Sequence, residues 1–311
     1  MKCTRCKALA AVALPSHHAG FCPDCFSAFF LKQVATAVRR QRMIAPGEKV
    51  LVALSGGKDS LALMEALARL GHDVAGLHVD LKIPGASEIA RATVERFCSE
   101  RGLKLIVADM DQWGLPIPRV RDRVRRPICS VCGKIKRHVM NRVAMEDGYD
   151  ALATGHNLDD ETARLFANTL RWDEAYLAGQ APSLPAEDGF VRKIKPLYRL
   201  TEFETAAFAF LSGIDYTAAP CPYSRGASFT AHKKLLGDLE ARTPGAKFSF
   251  YQGFLERGRS AFSRQDSATV ELAPCPSCSM PTSAGTCGVC RVRTLLENDS
   301  GDEAPADDAP R

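Results

Sequence analysis

Short apolar runs alternate with amphipathic segments along most of the chain. The runs are too short to form helices of their own, so we expect buried strands at residues 50–54, 74–81, 103–109, 149–155 and 191–198. Between them, apolar residues recur at helical spacing and predict helices at residues 26–43, 59–70, 88–101, 129–145, 201–211 and 229–242. Strands that alternate with helices indicate a parallel sheet with right-handed crossovers. The pattern therefore predicts an α/β domain.

The first strand ends in a glycine turn that leads directly into a helix, within the segment KVLVALSGGKDS at residues 49–60. Such a turn is either an ordinary strand–helix corner or a phosphate site, where backbone N–H groups point at an anion. It is not a Walker A motif, which has four residues between its glycines. SGGKDS instead resembles the pyrophosphate-binding loop SGGxDS of the ATP pyrophosphatases. The resemblance implies that ATP phosphates bind Ser55, Gly56, Gly57, Lys58, Asp59 and Ser60.

Two other strand ends should border the same ligand, because ligands of open parallel sheets bind beyond the carboxyl ends of the strands. This places His78 and Val79 beside the nucleotide, together with Gly155 after the fourth predicted strand. Asp159 and Asp160 follow in a loop that enters a helix. One alternative is that they bind Mg²⁺ that bridges ATP oxygens. The other is that one caps the helix N-terminus and the other lies in its first turn. Their position at a strand end favours Mg²⁺.

Composition and charge narrow the class of protein. Hydrophobic and charged contents of 46% and 25% are those of a soluble globular protein, and no apolar run reaches membrane-spanning length. The segment MKCTRCKALA lacks the features of a signal peptide, so we expect a cytoplasmic protein without membrane partners. Residues 297–311 hold six acids and one arginine, and we expect them to be a disordered acidic tail.

The rest of the chain is strongly basic. The net charge is +5 and the tail contributes −5, so residues 1–296 carry +10. Five arginines fall within residues 119–126. They form either a solvated charged segment or an arm that holds phosphates beside the active site, and the basic body favours the second. We therefore expect a nucleic acid as partner.

Eight of the 12 cysteines form two sets of paired C-x2-C motifs. In a cytoplasmic protein this spacing predicts two closed structural zinc sites rather than disulfides. The ligands are Cys3, Cys6, Cys22 and Cys25 at one end of the chain and Cys275, Cys278, Cys287 and Cys290 at the other.

Four cysteines lie outside these sets. Cys98 falls on the apolar face of its helix and is expected to be a core thiol. Cys129 and Cys132 open a helix on which Lys136 shares their face, and a helix N-terminus with nearby cations predicts a lowered thiol pKa. Cys221 lies between two prolines. These last three thiolates are an incomplete set for zinc or a cubane cluster, each of which takes four ligands.

The order of motifs SGGKDS, CSVCGKIKR, TGHNLDDE and APCPY, flanked by the paired C-x2-C sets, is similar to that of the TtuA-type tRNA 2-thiouridine synthetases. The resemblance covers nearly the whole chain except the acidic tail. It implies a PP-loop ATP pyrophosphatase domain of adenine nucleotide alpha hydrolase-like, Rossmann-like fold at residues 28–262. Zinc modules flank it at residues 1–27 and 270–294.

The same resemblance implies an ATP-dependent tRNA sulfurtransferase that acts on 5-methyluridine 54 of the T-loop. ATP would adenylate the C2 oxygen, and sulfur held by a [4Fe–4S] cluster on Cys129, Cys132 and Cys221 would replace it. Lys136 and Asp160 match positions that the family assigns to catalysis. The resemblance also implies a homodimer and a sulfur donor that is commonly a ubiquitin-like thiocarboxylate carrier. Alternative functions are 2-thiolation of the wobble uridine or an anticodon-loop cytidine, or a non-catalytic zinc-ribbon protein that binds RNA.

Overall fold

The computed structural model describes residues 1–187, 189–218, 221–224, 228–262 and 272–298. Its N-terminal module is an antiparallel hairpin joined by a short 3-10 turn, Pro15–His17, and followed by a long helix. The two strands and the helix are β1 (Val12–Leu14), β2 (Ala19–Phe21) and α1 (Pro23–Arg40). The buried face of α1 carries Phe26 and Phe30, and Phe30 stacks on Phe208 of the central domain at a ring distance of 4.0 Å. The module is therefore part of the main hydrophobic core.

The central domain is a six-stranded sheet with one antiparallel edge strand. Its strands in chain order are β3 (Lys49–Ala53), β4 (Asp73–Asp80), β5 (Lys104–Asp109), β6 (Ala151–Ala153), β7 (Ser183–Leu184) and β8 (Arg192–Ile194). Their spatial order is β5-β4-β3-β6-β8-β7, and all neighbours except β7 and β8 are parallel. The predicted α/β class with a parallel sheet is confirmed.

Helices cover the sheet and connect its strands. Those of the central domain are α2 (Lys58–Arg69), α3 (Ala86–Glu100), α4 (Ile117–Arg123), α5 (Ile128–Glu146), α6 (Leu158–Arg171), α7 (Glu174–Gly179), α8 (Glu202–Leu211), α9 (Ser228–Arg242) and α10 (Ala246–Gly253). A π-helical turn, Phe254–Gly258, and a 3-10 turn, Arg259–Phe262, follow α10. The predicted capping box at Thr201 is present, since its hydroxyl accepts the N–H of Glu204 and the Glu204 carboxylate accepts the N–H of Thr201.

The strand order reverses between β3 and β6. After β3 the chain adds strands on one side of it, and from β6 onward it adds them on the other. In open parallel sheets this reversal leaves a crevice at the carboxyl ends of the two central strands. The glycine loop follows β3 and residues 154–157 follow β6, so both border the crevice.

A small C-terminal module packs against α4 and α5. It consists of β9 (Ala273–Pro274), β10 (Pro281–Thr282) and α11 (Gly288–Asn298). Val289 and Leu296 of α11 are buried in the same hydrophobic cluster as Ile117, Val120 and Ile135. This module too is built into the domain rather than tethered to it.

One part of the expected acidic tail needs correction, and the rest lies outside the described residues. The expected tail begins later, because Glu297 and Asn298 belong to α11; residues 299–311 lie outside the described residues. Within the described part of the chain, no helix is long and apolar enough to cross a membrane.

Candidate functional site

The glycine loop between β3 and α2 is held in shape by its two serines. Ser60 Oγ donates to the carbonyl of Gly57 at 2.9 Å and lies 3.2 Å from Ser55 Oγ. The backbone N–H of Ser55 donates to Ser60 Oγ at 3.2 Å. Ser60 lies in the first turn of α2, and its hydroxyl holds the preceding glycine loop in place. Other N–H groups of the loop can then bind an anion.

Two glycines are required by geometry. Gly56 has φ +83°, in the left-handed region that favours glycine. A Cβ on Gly155 would lie 2.8 Å from the backbone of Asp59 and Ser60. The chain after β6 therefore touches the start of α2 directly, and only glycine permits that approach. This supports the sequence assignment of Gly155 to the nucleotide site.

The loop lysine is enclosed by carboxylates. Lys58 Nζ lies 2.8 Å from Glu202 Oε1 and 3.0 Å from Asp59 Oδ2. Burial disfavours the charge of Lys58, but Glu202 and Asp59 outweigh burial and raise its pKa. Burial raises the pKa of Asp59, although Lys58 and a hydrogen bond from Asn157 Nδ2 at 3.1 Å oppose this shift. The site therefore holds a cation beside a carboxylate that is poorly solvated.

Asp160 has two partners. Its backbone N–H donates to Asn157 Oδ1, and its Oδ2 accepts the Asn157 N–H, both at 3.1 Å, so the two residues form a capping box at the start of α6. Its Oδ1 pairs with Lys233 Nζ of α9 at 2.6 Å. Lys233 also reaches Glu202 at 3.3 Å. Burial disfavours the Lys233 charge, but Asp160 and Glu202 outweigh burial and raise its pKa.

Asp159 and Asp160 do not act as a pair. The Asp159 carboxylate is bound by Lys247 and accepts the N–H of Glu202 at 2.8 Å, and it is buried. It does not line the cleft, whereas Asp160 and Asp59 do. The predicted magnesium site on two adjacent carboxylates is therefore wrong for Asp159, because successive helical residues point in different directions.

The crevice at the strand ends is a cleft of about 550 Å³. Its walls include most of the predicted site residues, namely Ser55, Asp59, Ser60, His78, Val79, Lys136, Gly155, Asp160 and Cys221. The His78 side chain is buried, and Nδ1 lies 2.9 Å from the carbonyl of Leu54. Burial lowers the pKa of His78. His78 therefore supports the strand that leads into the glycine loop as a neutral imidazole.

The cysteine-bearing segment is attached to the glycine loop. The N–H of Thr217 donates to the carbonyl of Gly56 at 2.9 Å, four residues before Cys221. Cys221 is exposed and lines the cleft. At the start of α5, Cys129 Sγ lies 3.3 Å from the carbonyl of Tyr223. The structure thus brings Cys221 to the same end of the cleft as the C-x2-C pair of α5.

Cys132 is close enough to Cys129 and Cys221 that their negative charge raises its pKa. The largest cause of this increase is burial, and the charge of Lys136 only partly opposes it. The expected lowering of the pKa at this helix start is therefore wrong for Cys132. A bound cation would favour its thiolate. The structure thus brings the three thiols together near the start of α5.

The two terminal cysteine sets have the geometry of tetrahedral metal sites. In each set the four sulfurs lie within 4.8 Å of one another. Cys6 and Cys22 sulfurs are 3.5 Å apart, and those of Cys278 and Cys287 are 3.7 Å apart. Four thiolates on zinc at a Zn–S distance of about 2.3 Å would be about 3.8 Å apart. Both sets therefore fit a zinc ion.

The pKa values in these sets show why a cation is needed. The backbone N–H of Cys6 is the main cause that lowers the pKa of Cys3 to about 6. The thiol of Cys22, and then burial, raise the pKa of Cys25 to about 12. At the other end, backbone N–H groups outweigh burial and lower the pKa of Cys275 to about 6, while burial and neighbouring thiols raise that of Cys290. A divalent ion would favour the thiolate form of the cysteines whose pKa is raised.

Sequence reasoning missed four residues of the site: Asn157, Glu202, Thr217 and Lys233. Asn157 had a signal, since an asparagine three residues before an acid marks a capping box. The other three act through partners distant in the chain, and neither motif nor spacing indicates such pairs. Cys98 lies outside the cleft and is buried, as expected for a core thiol.

Comparisons with known proteins agree with this geometry. A family model described as the PP-loop domain matches residues 30–224. A second, described as the N-terminal LIM domain of the 2-thiouridine synthetase TtuA, matches residues 2–27. The first of these covers the glycine loop, the α5 cysteines and Cys221.

Relatives match nearly the full length of the chain. It is 41% identical to a tRNA-5-methyluridine(54) 2-sulfurtransferase of Thermus thermophilus, over 94% of this chain and 91% of that protein. It is 36% identical to a protein of the same description from Pyrococcus horikoshii, over 100% and 99% of the two chains. Among solved structures, the U34-tRNA thiolase NcsA of Methanococcus maripaludis, with its [4Fe–4S] cluster, is similar with a TM-score of 0.75, 28% identity and coverage of 86% and 89%.

Proposed function

Because the chain belongs to the PP-loop family that includes the tRNA-5-methyluridine(54) 2-sulfurtransferases, we propose that it is an ATP-dependent tRNA sulfurtransferase. Its substrate is 5-methyluridine 54, whose C2 oxygen it replaces with sulfur. The observation that carries the proposal is the shared cleft: the ATP loop, Lys136, Asp160 and Cys221 face one space. An enzyme that only adenylates or only binds RNA has no use for a cysteine there.

The first step activates the oxygen. Backbone N–H groups of the glycine loop and the start of α2 bind the β and γ phosphates of ATP, and Lys58 neutralises their charge. The C2 oxygen of the uracil attacks the α-phosphorus, the bond to the β-phosphate oxygen breaks, and pyrophosphate leaves. The oxygen becomes part of an adenylate and thus a good leaving group. Asp160, or Asp59, would hold Mg²⁺, which would offset the negative charge of the phosphates.

The second step exchanges oxygen for sulfur. A sulfur nucleophile attacks C2, and AMP departs with the original oxygen. Cys129, Cys132 and Cys221 would hold a [4Fe–4S] cluster, which would supply the iron–sulfur chemistry that delivers the sulfur. Lys136, on the face of α5 that carries the two cysteines, stabilises negative charge developing at C2. Asp160 accepts or returns a proton during these steps.

The cofactors and partners of the proposal follow from the same residues. Two zinc ions occupy the terminal cysteine sets and stabilise their modules. The substrate is tRNA, consistent with the basic body of the chain. A ubiquitin-like thiocarboxylate carrier as sulfur donor, a homodimeric state and action in the cytoplasm complete the proposal.

The test is thiolation of tRNA that carries 5-methyluridine 54 without a 2-thio group, by protein purified and loaded without oxygen, with ATP and sulfide. Mass spectrometry of the nucleosides should show 2-thio-5-methyluridine, together with conversion of ATP to AMP. Separate Cys129→Ala, Cys132→Ala and Cys221→Ala variants should lose thiolation and iron while keeping two zinc ions per chain. Cys98→Ala, a buried thiol outside the cleft, is the matched control and should retain activity. No AMP formation by wild type would favour a non-catalytic RNA-binding protein.

A second candidate is thiolation of the wobble uridine. The solved thiolase that resembles this fold acts on U34, and a 29% identical relative from Xenopus laevis is named cytoplasmic tRNA 2-thiolation protein 1. The two activities share this chemistry and differ in the tRNA region that reaches the cleft. Digestion of the product tRNA into T-arm and anticodon fragments locates the sulfur: a thiolated anticodon with an unchanged T-arm would overturn the choice of position 54.

A further inference from the structure

A second cavity lies beside the cluster cysteines and outside the nucleotide cleft. It has a volume of about 360 Å³ and runs between the α4–α5 segment and α11 of the C-terminal module. Its cationic side chains are Arg123, Arg125, Arg126, Lys134 and Arg291, all exposed. We refer to it as the basic groove. None of its described lining residues is acidic.

The groove is a built feature rather than a gap between loosely packed modules. Its floor includes Val131, Ile135 and Val289, which are buried in the cluster that joins α4, α5 and α11. Arg119 Nη2 lies 3.5 Å from the carbonyl of Leu296, which ties α4 to the last turn of α11. The two walls are therefore fixed relative to each other, with exposed cations above an apolar floor.

The groove starts next to the proposed reaction centre. Ser130 and Lys134 on one side of α5 line the groove, while Lys136 and Met140 on another side line the nucleotide cleft. The two spaces are separated by the width of one helix, about 10 Å with its side chains. Arg121, next to the groove arginines, lies over the Tyr223 ring at 4.8 Å, two residues after Cys221.

We propose that the basic groove binds the phosphate backbone of the substrate RNA, with the C-terminal module and the arginine segment as its two walls. Clustered guanidinium groups are suited to phosphate, and they bind it in bidentate fashion. Binding there would position the RNA strand so that one nucleotide reaches around the start of α5 into the cleft. The C-terminal zinc module thus has a role in substrate binding. The proposal depends on the proposed function only for the statement that the RNA is tRNA.

The experiment measures binding of unmodified tRNA to the zinc-loaded full chain over a range of salt concentrations, without ATP or turnover. The variants are Arg125→Ala/Arg126→Ala and Arg291→Ala, one for each wall. Each lost phosphate contact should reduce the slope of log affinity against log salt by about 0.7–0.9. We expect the double variant to lose about two units of slope and at least about tenfold in affinity near 0.1 M salt, and Arg291→Ala to lose about one unit.

Lys104→Ala is the matched control. Lys104 is an exposed cation at the start of β5, at the end of the sheet opposite the cleft, so its removal should leave tRNA affinity unchanged. ATP affinity and zinc content should be the same in all variants. In turnover assays the groove variants should show a raised KM for tRNA with little change in kcat.

Unchanged affinity and slope in both groove variants would overturn the proposal, as would equal losses in Lys104→Ala. Normal tRNA binding combined with lost binding of a ubiquitin-like carrier would identify the groove as a protein-binding surface instead. The proposed function fails separately: a wild type that binds tRNA through the groove but forms no thiolated nucleoside would leave the groove assignment in place.

Discussion

At the scale of single residues, the site depends on charged groups that compensate one another. Lys58, Asp59, Asp160, Glu202 and Lys233 come from four helices and form one connected network of ion pairs. Burial raises the pKa of Asp59, and the negative charge of Asp160 raises it further. Lys233 pairs with the Asp160 carboxylate. We infer that Lys233 positions Asp160 through this ion pair. It acts through Asp160 rather than on the substrate.

Replacing Lys233 with Met should reduce thiolation about tenfold or more, with zinc content and fold retained. Burial raises the pKa of Glu202, but Lys58 and Lys233 outweigh burial and lower it, so loss of the Lys233 cation raises this pKa. The acid limb of the pH–rate profile should therefore move to higher pH. The neighbouring Lys234 is exposed, and Lys234→Met should match wild type in both rate and profile. A reduced rate with an unmoved acid limb would mean that Lys233 is merely structural.

Gly155 provides a steric test of the nucleotide site. Gly155→Ala would place a methyl group 2.8 Å from backbone atoms of Asp59 and Ser60, so the start of α2 must shift. We expect ATP affinity to fall at least about tenfold, since the loop N–H groups lose their alignment on the phosphates. Gly237→Ala in α9 meets no heavy atom within 4 Å and should leave ATP binding intact. Calorimetric titration with a non-hydrolysable ATP analogue compares the two.

Cys98 gives a pH-dependent prediction. Burial raises its pKa to about 11 from 9.0, so the folded protein disfavours the thiolate. The stability that this shift contributes is present below pH 9 and is lost as pH rises towards 11. Between pH 8 and pH 10.5 wild type should lose up to about 2 kcal/mol more unfolding free energy than Cys98→Ala. Denaturant unfolding of both proteins at the two pH values measures the difference, and equal losses would contradict the prediction.

At the scale of elements, the segment between α8 and α9 connects the nucleotide loop to the cluster cysteines. Thr217 is hydrogen-bonded to the loop carbonyl of Gly56, and Cys221 follows four residues later. This hydrogen bond links the loop to the segment that carries the third cysteine. Binding of ATP at the loop should fix the position of Cys221.

Thr217→Pro removes the N–H of this hydrogen bond and tests the connection. We expect ATP to slow modification of Cys221 by a maleimide in wild type, and this protection to fall several-fold in the variant. Ala218→Pro stiffens the same segment but leaves the Thr217 N–H in place, so it should keep the protection. Mass spectrometry of the peptide carrying Cys221 gives the rate. Full protection in Thr217→Pro would show that ATP shields Cys221 without the hydrogen bond.

The elements also show what the sequence could predict. Every strand of the parallel part of the sheet and the helices α1, α2, α3, α5, α8 and α9 were predicted, because their periodicity is strong. The helix α7 and the strand β7 were missed since they have six and two residues, too few for a periodic signal. Motif residues of the site were predicted too. The partners that orient them were not, because Lys233 and Glu202 are far from Asp160 and Lys58 in the chain.

The wrong prediction of Asp159 as a magnesium ligand and the wrong prediction of a lowered Cys132 pKa have one cause. Sequence position says that Asp159 and Cys132 are near a helix start, but not which side of the helix is covered. Asp159 faces Lys247, which is 88 residues away, and burial dominates the helix-start effect at Cys132. Burial is a property of the packed molecule. Burial decides whether Asp159 can reach a ligand and in which direction the pKa of Cys132 shifts. The local sequence does not show which side chains are buried.

At the scale of the whole molecule, both metal modules share hydrophobic cores with the central domain. Cys3, Cys22 and Phe26 belong to the larger cluster, and Cys275, Val289 and Leu296 belong to the other. Loss of either metal should therefore affect the fold of the domain beside it. The part of the central domain that packs against the C-terminal module includes the arginine segment and the start of α5.

The shared core predicts that a single contact of α11 stabilises the central domain. Leu296 is 3% exposed against α4 and α5, while its neighbour Leu295 is 47% exposed. Leu296→Ala should lower the unfolding free energy by about 2–3 kcal/mol through lost burial and the cavity left behind. Leu295→Ala should cost less than about 0.5 kcal/mol. Denaturant unfolding followed by the fluorescence of Trp113, which packs against the same cluster, reports on the domain rather than on the module.

If the C-terminal module were an independent unit, Leu296→Ala would release zinc without moving the Trp113 transition. If the core is continuous, the transition moves to lower denaturant and zinc release follows it, because the metal ligands Cys275, Cys287 and Cys290 are buried in the same cluster. The groove between α5 and α11 would then loosen together with the domain. Weaker tRNA binding by Leu296→Ala at temperatures well below its unfolding transition would connect the two effects.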